Sequence, residues 1–133
     1  MKAVIDTNVF VSGIFWKGKP EFILNSWIEL KFTLLISKPI FDEYSITFRD
    51  ISKGRRDDLV EKWLYLITQY SHCIEIHHNF NICRDAIDNK WLNCAVSGNA
   101  DILVSGDDDL LSLKSIANIP IIRPAEFARM LGI

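Results

Sequence analysis

The stretch "DILVSGDDDLLSL", residues 101 to 113, places three consecutive aspartates between two apolar runs. The run that ends at Ser105 is rich in apolar and β-branched residues, which favours a strand, and the leucines after the aspartates favour a helix. Adjacent carboxylates raise each other's pKa, so this crowding needs a compensating interaction. Three explanations are open at this point: full solvation in a turn, a capping role at the start of the helix, or a bound cation.

Four further runs have the same character, and helical patterns separate them. Near-continuous apolar strands are typical of a parallel sheet that is covered on both faces. We therefore predict an α/β fold, a three-layer sandwich with a central, mostly parallel, five-stranded twisted sheet. The other four predicted strands are "KAVID" (2–6), "TLLIS" (33–37), the weaker "CIEI" (73–76) and "IPIIR" (119–123).

The predicted helices combine an apolar face with recognisable end signals. One helix opens at Pro20, because proline suits the first position of a helix, and a second spans 57–70. A third begins at Asp88, a good N-cap residue, and stops at Gly98. The last, "PAEFARMLG", again begins with proline and ends with glycine. The polar segment 49–58 is predicted to be a solvated turn between two helices.

Length and composition predict a single domain over residues 1–133. The chain has 133 residues, 49% of them hydrophobic, which is enough for a core without disulfides or metals. The formal net charge is −2, and no basic tail or stripe is present. The charge therefore gives no sign of nucleic-acid binding through bulk electrostatics, although a metal-loaded acidic pocket would attract phosphate.

The cysteines and the N-terminal residues indicate where the protein works. The three cysteines lack a CxxC pair, which argues against a disulfide framework, and the histidines and cysteines of 72–83 lack zinc-ligand spacing. An aspartate already stands at position 6, too early for a signal peptide. No run approaches the ~20 apolar residues of a membrane span. We expect a cytoplasmic protein with free thiols and no membrane segment.

Four carboxylates are predicted to meet at one edge of the sheet. Asp6 ends the first strand, and Asp107 follows the fourth predicted strand after one small turn. Asp88 begins the helix that leads into that strand, and Glu43 lies on the helix that leaves "TLLIS". Ligands of open α/β sheets bind outside the carboxyl ends of the strands, where strand order reverses. Four separate segments therefore converge where a ligand is expected.

Each acid also has a structural interpretation when it is taken alone. Asp88 reads as a helix cap, Glu43 as a surface residue and Asp107 as the start of a capping box. Asp6 is different, because an acid that follows a buried strand needs a partner. Together they predict a hard cation bound through oxygen, Mg²⁺ or Mn²⁺, and hence phosphodiester hydrolysis.

Four ordered motifs resemble those of the PIN-domain ribonucleases, and within them the VapC-like toxins of bacterial and archaeal toxin–antitoxin pairs. The resemblance covers nearly the whole chain except about 45–80. It implies a PIN-like fold, an endoribonuclease that leaves a 5′-phosphate, Mg²⁺ or Mn²⁺ as cofactor, an RNA substrate and an antitoxin partner. It also assigns the metal-binding, catalytic acids to Asp6, Glu43, Asp88 and Asp107. The motifs are "VIDTNVFVSG" (4–13), "LLISKPIFDEY" (34–44), "RDAIDNKWLNCAVSGNADILVSGDDDLLSL" (84–113) and "IPIIRPAEF" (119–127).

The resemblance also implies supporting residues around the four acids. Ser105 keeps the hydroxyl that is often threonine in the family, and Asp109 stands where some relatives add a fifth acid. Asn8 is expected either to orient a carboxylate or to cap the helix that follows. Asp108 is expected to be solvated. One departure concerns "RDAIDNKWL" (84–92), where relatives have two or three acids and this chain keeps only Asp85 before the DNK motif.

The sequence is also compatible with two other functions, and it predicts two kinds of protein partner. The fold would also suit a catalytically silent PIN module that binds RNA or protein, or a receiver-like phosphoacceptor, although the intact acids favour the nuclease. Lys17, Lys19, Arg84 and Lys90 flank the acidic edge, where they could contact phosphates or simply be solvated. The helices at 20–30 and 59–70 carry more large apolar residues than one sheet face covers, which predicts a homodimer and an apolar groove for an antitoxin segment. These residues are Trp27, Trp63, Leu64, Tyr65, Leu66 and Tyr70.

Overall fold

A six-stranded sheet forms the centre of the protein, for which a computed structural model describes all 133 residues. The strand order is β3-β2-β1-β4-β6-β5, and every neighbouring pair is parallel except β5 and β6. The α/β class and the mostly parallel sheet are confirmed. The strands are β1 Lys2–Ile5, β2 Thr33–Ile36, β3 His72–Cys73, β4 Ile102–Val104, β5 Ser115–Ile116 and β6 Ile119–Ile122.

The sixth strand, β5, corrects the prediction of five. It forms a tight antiparallel hairpin with β6, in which Ser115 pairs with Pro120 and Ile116 with Ile119. The two loop residues, Ala117 and Asn118, have φ values of 48° and 67°. Such a turn usually carries Asn-Gly or Asp-Gly, and alanine in the left-handed region gives no sequence signal. A two-residue strand is also too short to show a periodic pattern.

Seven α-helices connect and cover the strands, and their ends follow the predicted signals closely. The helix predicted at 57–70 has those bounds, and the predicted turn at 49–58 is shorter than expected because α3 continues to Ser52. A π-helical segment, Ser12–Trp16, follows α1, and a 3₁₀ turn, Ala86–Asp88, precedes α5. The helices are α1 Thr7–Val11, α2 Lys19–Ile28, α3 Lys38–Ser52, α4 Asp57–Tyr70, α5 Asn89–Ser97, α6 Asp108–Leu111 and α7 Pro124–Met130. None of them has the length and apolar composition that crossing a membrane requires.

Both faces of the sheet are buried, as the apolar strands predicted. Ala3, Val4 and Ile5 are all 0% exposed, although adjacent side chains of a strand point to opposite faces. Helices must therefore cover the sheet on both sides, which gives the three-layer arrangement.

An aromatic cluster fixes α3 against β1. Tyr44 stacks on Phe48 with 5.7 Å between ring centroids, and Phe10 lies 4.9 Å from Tyr44. The Tyr44 hydroxyl donates a hydrogen bond to the backbone carbonyl of Ile5. Glu43 and Asp6 are the residues adjacent to this bonded pair in the sequence.

The strand order reverses between β1 and β4. From β1 the chain builds outward through β2 and β3, and from β4 it builds the other way through β6. Ligands of open α/β sheets bind at this point, beyond the carboxyl ends of the strands. Asp6 and Asp107 follow these two strands.

Candidate metal centre

A cleft of about 580 Å³ opens at the point where the strand order reverses. Its lining is mostly polar, and the four carboxylates predicted from the sequence all contribute to it. Half of its twelve lining residues are acidic, whereas two are hydrophobic. The acids are Asp6, Glu43, Asp88, Asp107, Asp108 and Asp109.

Asp6 is a buried acid whose two oxygens are both engaged. One oxygen accepts a hydrogen bond from the backbone N–H of Val9 at 3.2 Å, and the other accepts one from the Ser105 hydroxyl. Asp6 therefore caps α1, and the interpretation of Asn8 as that cap is wrong. Burial raises the pKa of Asp6, while the hydrogen bonds from Ser105 and the backbone lower it and the charge of Asp107 raises it.

Ser105 connects the first acid to the last. Its hydroxyl oxygen donates to Asp6 and also accepts the backbone N–H of Asp107 at 3.0 Å. Ser105 is fully buried, so water does not compete for these two hydrogen bonds. The hydroxyl that the sequence marked as a supporting residue thus orients two segments of the cleft.

The three aspartates of the opening stretch have three different environments. Asp107 caps α6, with its carboxylate accepting the N–H of Asp109 at 3.4 Å. Asp108 is exposed and lies 3.1 Å from Arg123, and Asp109 lies 4.0 Å from Arg84. The capping explanation therefore holds for Asp107, and solvation with a weak ion pair holds for Asp108. Capping occupies one oxygen of Asp107, which lines the cleft, and the other oxygen has no hydrogen bond.

Glu43 reaches the cleft from α3 and has a partner on each oxygen. One oxygen lies 2.6 Å from the ammonium of Lys90, and the other accepts a hydrogen bond from the Thr7 hydroxyl. Thr7 was not predicted from the sequence as a residue of the site. The feature by which Thr7 could have been found is its position directly after Asp6, on the first turn of a helix that begins at the sheet edge.

Of the four predicted acids, Asp88 is the one whose carboxylate has no hydrogen-bond partner. It directly precedes α5, as predicted, but its carboxylate caps no N–H; Asp85 instead accepts from Ile87 at 3.0 Å. The pKa of Asp88 is raised to about 6, first by partial burial and then by the charges of Asp107, Asp85, Glu43 and Asp6. These negative charges act on one another across the cleft, and a cation would relieve their repulsion.

Residues 77–83 form a strap of irregular chain that leads towards Asp88. Side chains of α5 hold this strap by accepting hydrogen bonds from its backbone N–H groups. Asn89, Asn93 and Ser97 follow one another at four-residue spacing, which places them on one face of the helix. Asn89 accepts N–H groups from Ile82 and Cys83 at 3.2 and 3.0 Å, and Asn93 accepts that of Phe80 at 2.6 Å. Ser97 accepts the N–H groups of His77 and His78 at 2.8 and 3.1 Å. This polar face was not predicted, although the four-residue spacing of Asn89, Asn93 and Ser97 is visible in the sequence.

The chemistry of the donors fits Mg²⁺ or Mn²⁺. The charged side chains that line the cleft are all carboxylates, and no cysteine or histidine lines it. Oxygen ligands of this kind suit these hard cations. No group of three or more His, Cys, Asp or Glu side chains forms a ready metal cage, either in the cleft or in residues 72–83. Mg²⁺ needs no such cage, because it keeps several waters and binds proteins through one or two carboxylates.

Comparison with known proteins agrees with the fold and the motifs. The PIN-domain family model matches residues 2–109. An uncharacterized protein of Methanocaldococcus jannaschii is 38% identical over 120 residues, which cover 86% of this chain and 76% of that protein. The crystal structure of VapBC2 from Rickettsia felis, bound to a DNA fragment from their promoter, has a TM-score of 0.62 at 16% identity and covers 92% of this chain and 98% of that one. At this identity the last likeness concerns the fold alone.

The match to the family model spans most of the chain, and it includes all four acids of the cleft. The resemblance drawn from the ordered motifs is therefore confirmed at the level of the family. This chain belongs to the PIN-domain family.

Proposed function

We propose that this protein is a metal-dependent endoribonuclease that hydrolyses RNA phosphodiester bonds and is the toxin of a toxin–antitoxin pair. One observation carries the proposal: four carboxylates from four separate segments line a single open cleft at the reversal of strand order. If each acid were only a helix cap or a surface residue, nothing would require all four to line the same cleft. Family membership supports the same reaction class.

In this proposal each acid has a stated role. Asp6 and Asp107, which follow neighbouring strands, hold the principal cation, and Glu43 and Asp88 complete the site from α3 and the start of α5. Mg²⁺ or Mn²⁺, when bound, supplies an activated water and neutralises charge on the phosphate. Ser105 orients Asp6 and the Asp107 backbone through the hydrogen bonds described above.

Two further residues have supporting roles in the proposal. Asn8 is exposed at the cleft, and its side chain makes no hydrogen bond to a carboxylate. It would orient a carboxylate once the cation is bound. Asp109 lies at the outer rim, where it adds negative charge behind Asp107.

The test compares RNA cleavage by the parent protein and Asp6→Asn in Mg²⁺ or Mn²⁺. Cleavage by the variant should fall by orders of magnitude, because metal charge stabilisation is worth several kcal/mol and each 1.36 kcal/mol is about tenfold. Asp108→Asn is the matched control, since this exposed residue has no proposed role, and it should cleave like the parent. Products should carry a 5′-phosphate. A parent protein that binds RNA and never cleaves it would favour the silent module instead.

The partner proposals rest on exposed apolar side chains. Trp27 is 2% exposed, but Leu30 and Tyr70 beside it are 81% and 62% exposed. With Ile28 and Leu66 they line an apolar cleft of about 350 Å³ between α2 and α4. We propose that the apolar face of an antitoxin helix fills it, because such helices bind grooves through residues one turn apart.

We also propose that the protein is cytoplasmic and that it forms a homodimer. Ile46 on α3 and Tyr65 on α4 are 63% and 61% exposed and lie outside the apolar cleft, so both could serve a second contact. Light scattering at tens of micromolar, on the order of usual assay concentrations, should give the mass of two chains. The mass of one chain at that concentration would contradict the homodimer.

A further inference from the structure

Lys90 occupies an unusual position for a cation. It lies on the first turn of α5, near the positive end of the helix dipole, where a positive side chain is disfavoured. Its side chain is only 18% exposed, so water screens it little. A partner must therefore compensate for both effects, and that partner is Glu43 on α3, 2.6 Å away and 25% exposed.

The pair differs from every other ion pair at the cleft. Arg84 and Arg123 lie at the rim, 86% and 61% exposed, and they pair with Asp109 and Asp108. Such exposed pairs contribute little, because water and salt screen them. Lys90 alone places a shielded positive charge against one of the four acids proposed to hold the metal. The Thr7 hydroxyl donates to the other oxygen of Glu43, so both oxygens of this carboxylate have a partner within the protein.

We propose that Lys90 is a positioning residue that acts as an internal counter-cation, holding Glu43 in the metal-free protein and competing with the divalent ion for it. The inference rests on the proposed metal site and adds a control of its affinity. A bound divalent ion has the same sign of charge as the ammonium, and the low dielectric of the half-buried cleft strengthens their repulsion. The ion must therefore displace Lys90 from Glu43 or bind beside it at a cost.

A different role for Lys90 would be to bind the phosphate of the substrate. That role predicts a higher KM for RNA when the charge is removed and an unchanged affinity for the metal. The counter-cation role predicts a higher affinity for the metal when the charge is removed, because removal of the ammonium frees Glu43 and removes a repulsion. Metal binding in the absence of RNA therefore separates the two.

The experiment measures Mn²⁺ binding by calorimetry without RNA. Lys90→Met should bind Mn²⁺ about tenfold more tightly than the parent, which corresponds to about 1.4 kcal/mol. Lys90→Arg keeps the charge and should bind like the parent. The matched control is Lys38→Met, since Lys38 is 84% exposed and pairs with Asp42 away from the cleft. Lys90→Gln serves as a second neutral variant if Lys90→Met does not fold.

Thermal melting in chelator gives a second readout that needs no metal. Loss of Lys90 leaves Glu43 beside like charges, so the neutral variants should melt at a lower temperature than the parent. In a double-mutant cycle, Glu43→Gln should cancel most of that loss, because the uncompensated carboxylate is gone.

The outcomes distinguish the two levels of the proposal. If the parent binds Mn²⁺ and the neutral variants bind it equally or more weakly, the role of Lys90 is wrong and the metal site stands. If the parent binds no Mn²⁺, both fall. A neutral variant with parental Mn²⁺ affinity and a raised KM would assign Lys90 to the phosphate.

Discussion

The hydroxyl of Tyr44 donates a hydrogen bond to the backbone carbonyl of Ile5, and this bond joins α3 to the end of β1. Each of the two residues stands next to an acid of the cleft, Glu43 and Asp6. Both partners are fully buried, and desolvation raises the pKa of Tyr44 well above its ordinary value, so the hydroxyl stays protonated and remains a donor. The separation of the two acids is therefore fixed from inside the core.

Tyr44→Phe should weaken both the fold and the site. The change leaves a buried carbonyl without its side-chain donor, which destabilises a protein by about 1–2 kcal/mol and lowers the melting temperature by roughly 5 °C in a domain of this size. RNA cleavage should fall as well, because Glu43 loses its anchor. Calorimetric melting and initial cleavage rates measure the two effects. Tyr65→Phe keeps the exposed ring proposed for the dimer contact and removes only a hydroxyl outside the cleft, so it should change neither.

Asn93→Ala should loosen the strap of residues 77–83. The variant removes the acceptor for the backbone N–H of Phe80, which lies 2.6 Å from the Asn93 oxygen. Hydrogen exchange at Phe80 and its neighbours should accelerate by about tenfold, since the half-buried N–H of Phe80 loses its partner and a fully buried donor would lose about 1–3 kcal/mol. Asn25→Ala on the exposed face of α2 is the control and should leave that exchange unchanged. Equal exchange in the Asn93 variant would mean that apolar packing holds the strap.

The sequence was sufficient to predict which acids meet but not what surrounds them. Asp6 and Asp107 could be placed because a parallel sheet sends the ends of its strands to one edge. The contacts of Lys90 with Glu43 and of Ser105 with Asp6 join residues 47 and 99 positions apart, and no local pattern encodes such distances. The β5–β6 hairpin was missed for a different reason, since Ala117 adopts a backbone conformation that alanine rarely takes.

The three thiols should differ sharply in reactivity. Burial raises the pKa of Cys94 to about 12, whereas Cys73 is exposed on the edge strand β3. Because the thiolate is the reactive form, a thiol reagent at pH 8 should modify Cys73 rapidly and Cys94 only after unfolding. Mass spectrometry of the labelled peptides measures this order. Replacing all three cysteines should leave cleavage intact, because none of them lines the acidic cleft.

Repulsion between the acids of the cleft should make the stability of the protein in chelator depend on pH. Asp88 has a pKa of about 6 in the folded state, above the ordinary value of 3.8 that applies when the chain is unfolded. The folded state therefore binds more protons between these two values, and the free energy of unfolding decreases as pH rises through this window. Above pH 6 the ionised carboxylate disfavours the fold to its full extent.

Asp88→Asn removes that charge and should stabilise the protein in chelator. At pH 7.5 its melting temperature should exceed that of the parent by a few degrees, and the difference should shrink as pH falls from 6 towards 4. The control Asp108→Asn should show no such trend, since Asp108 is 88% exposed and lies beside Arg123. In saturating Mn²⁺ at pH 7.5 the parent should melt at a higher temperature than the variant, because the variant lacks one of the carboxylates proposed to bind the cation. A variant that melts below the parent in chelator at pH 7.5 would show that the acids of the cleft do not repel one another as the geometry requires.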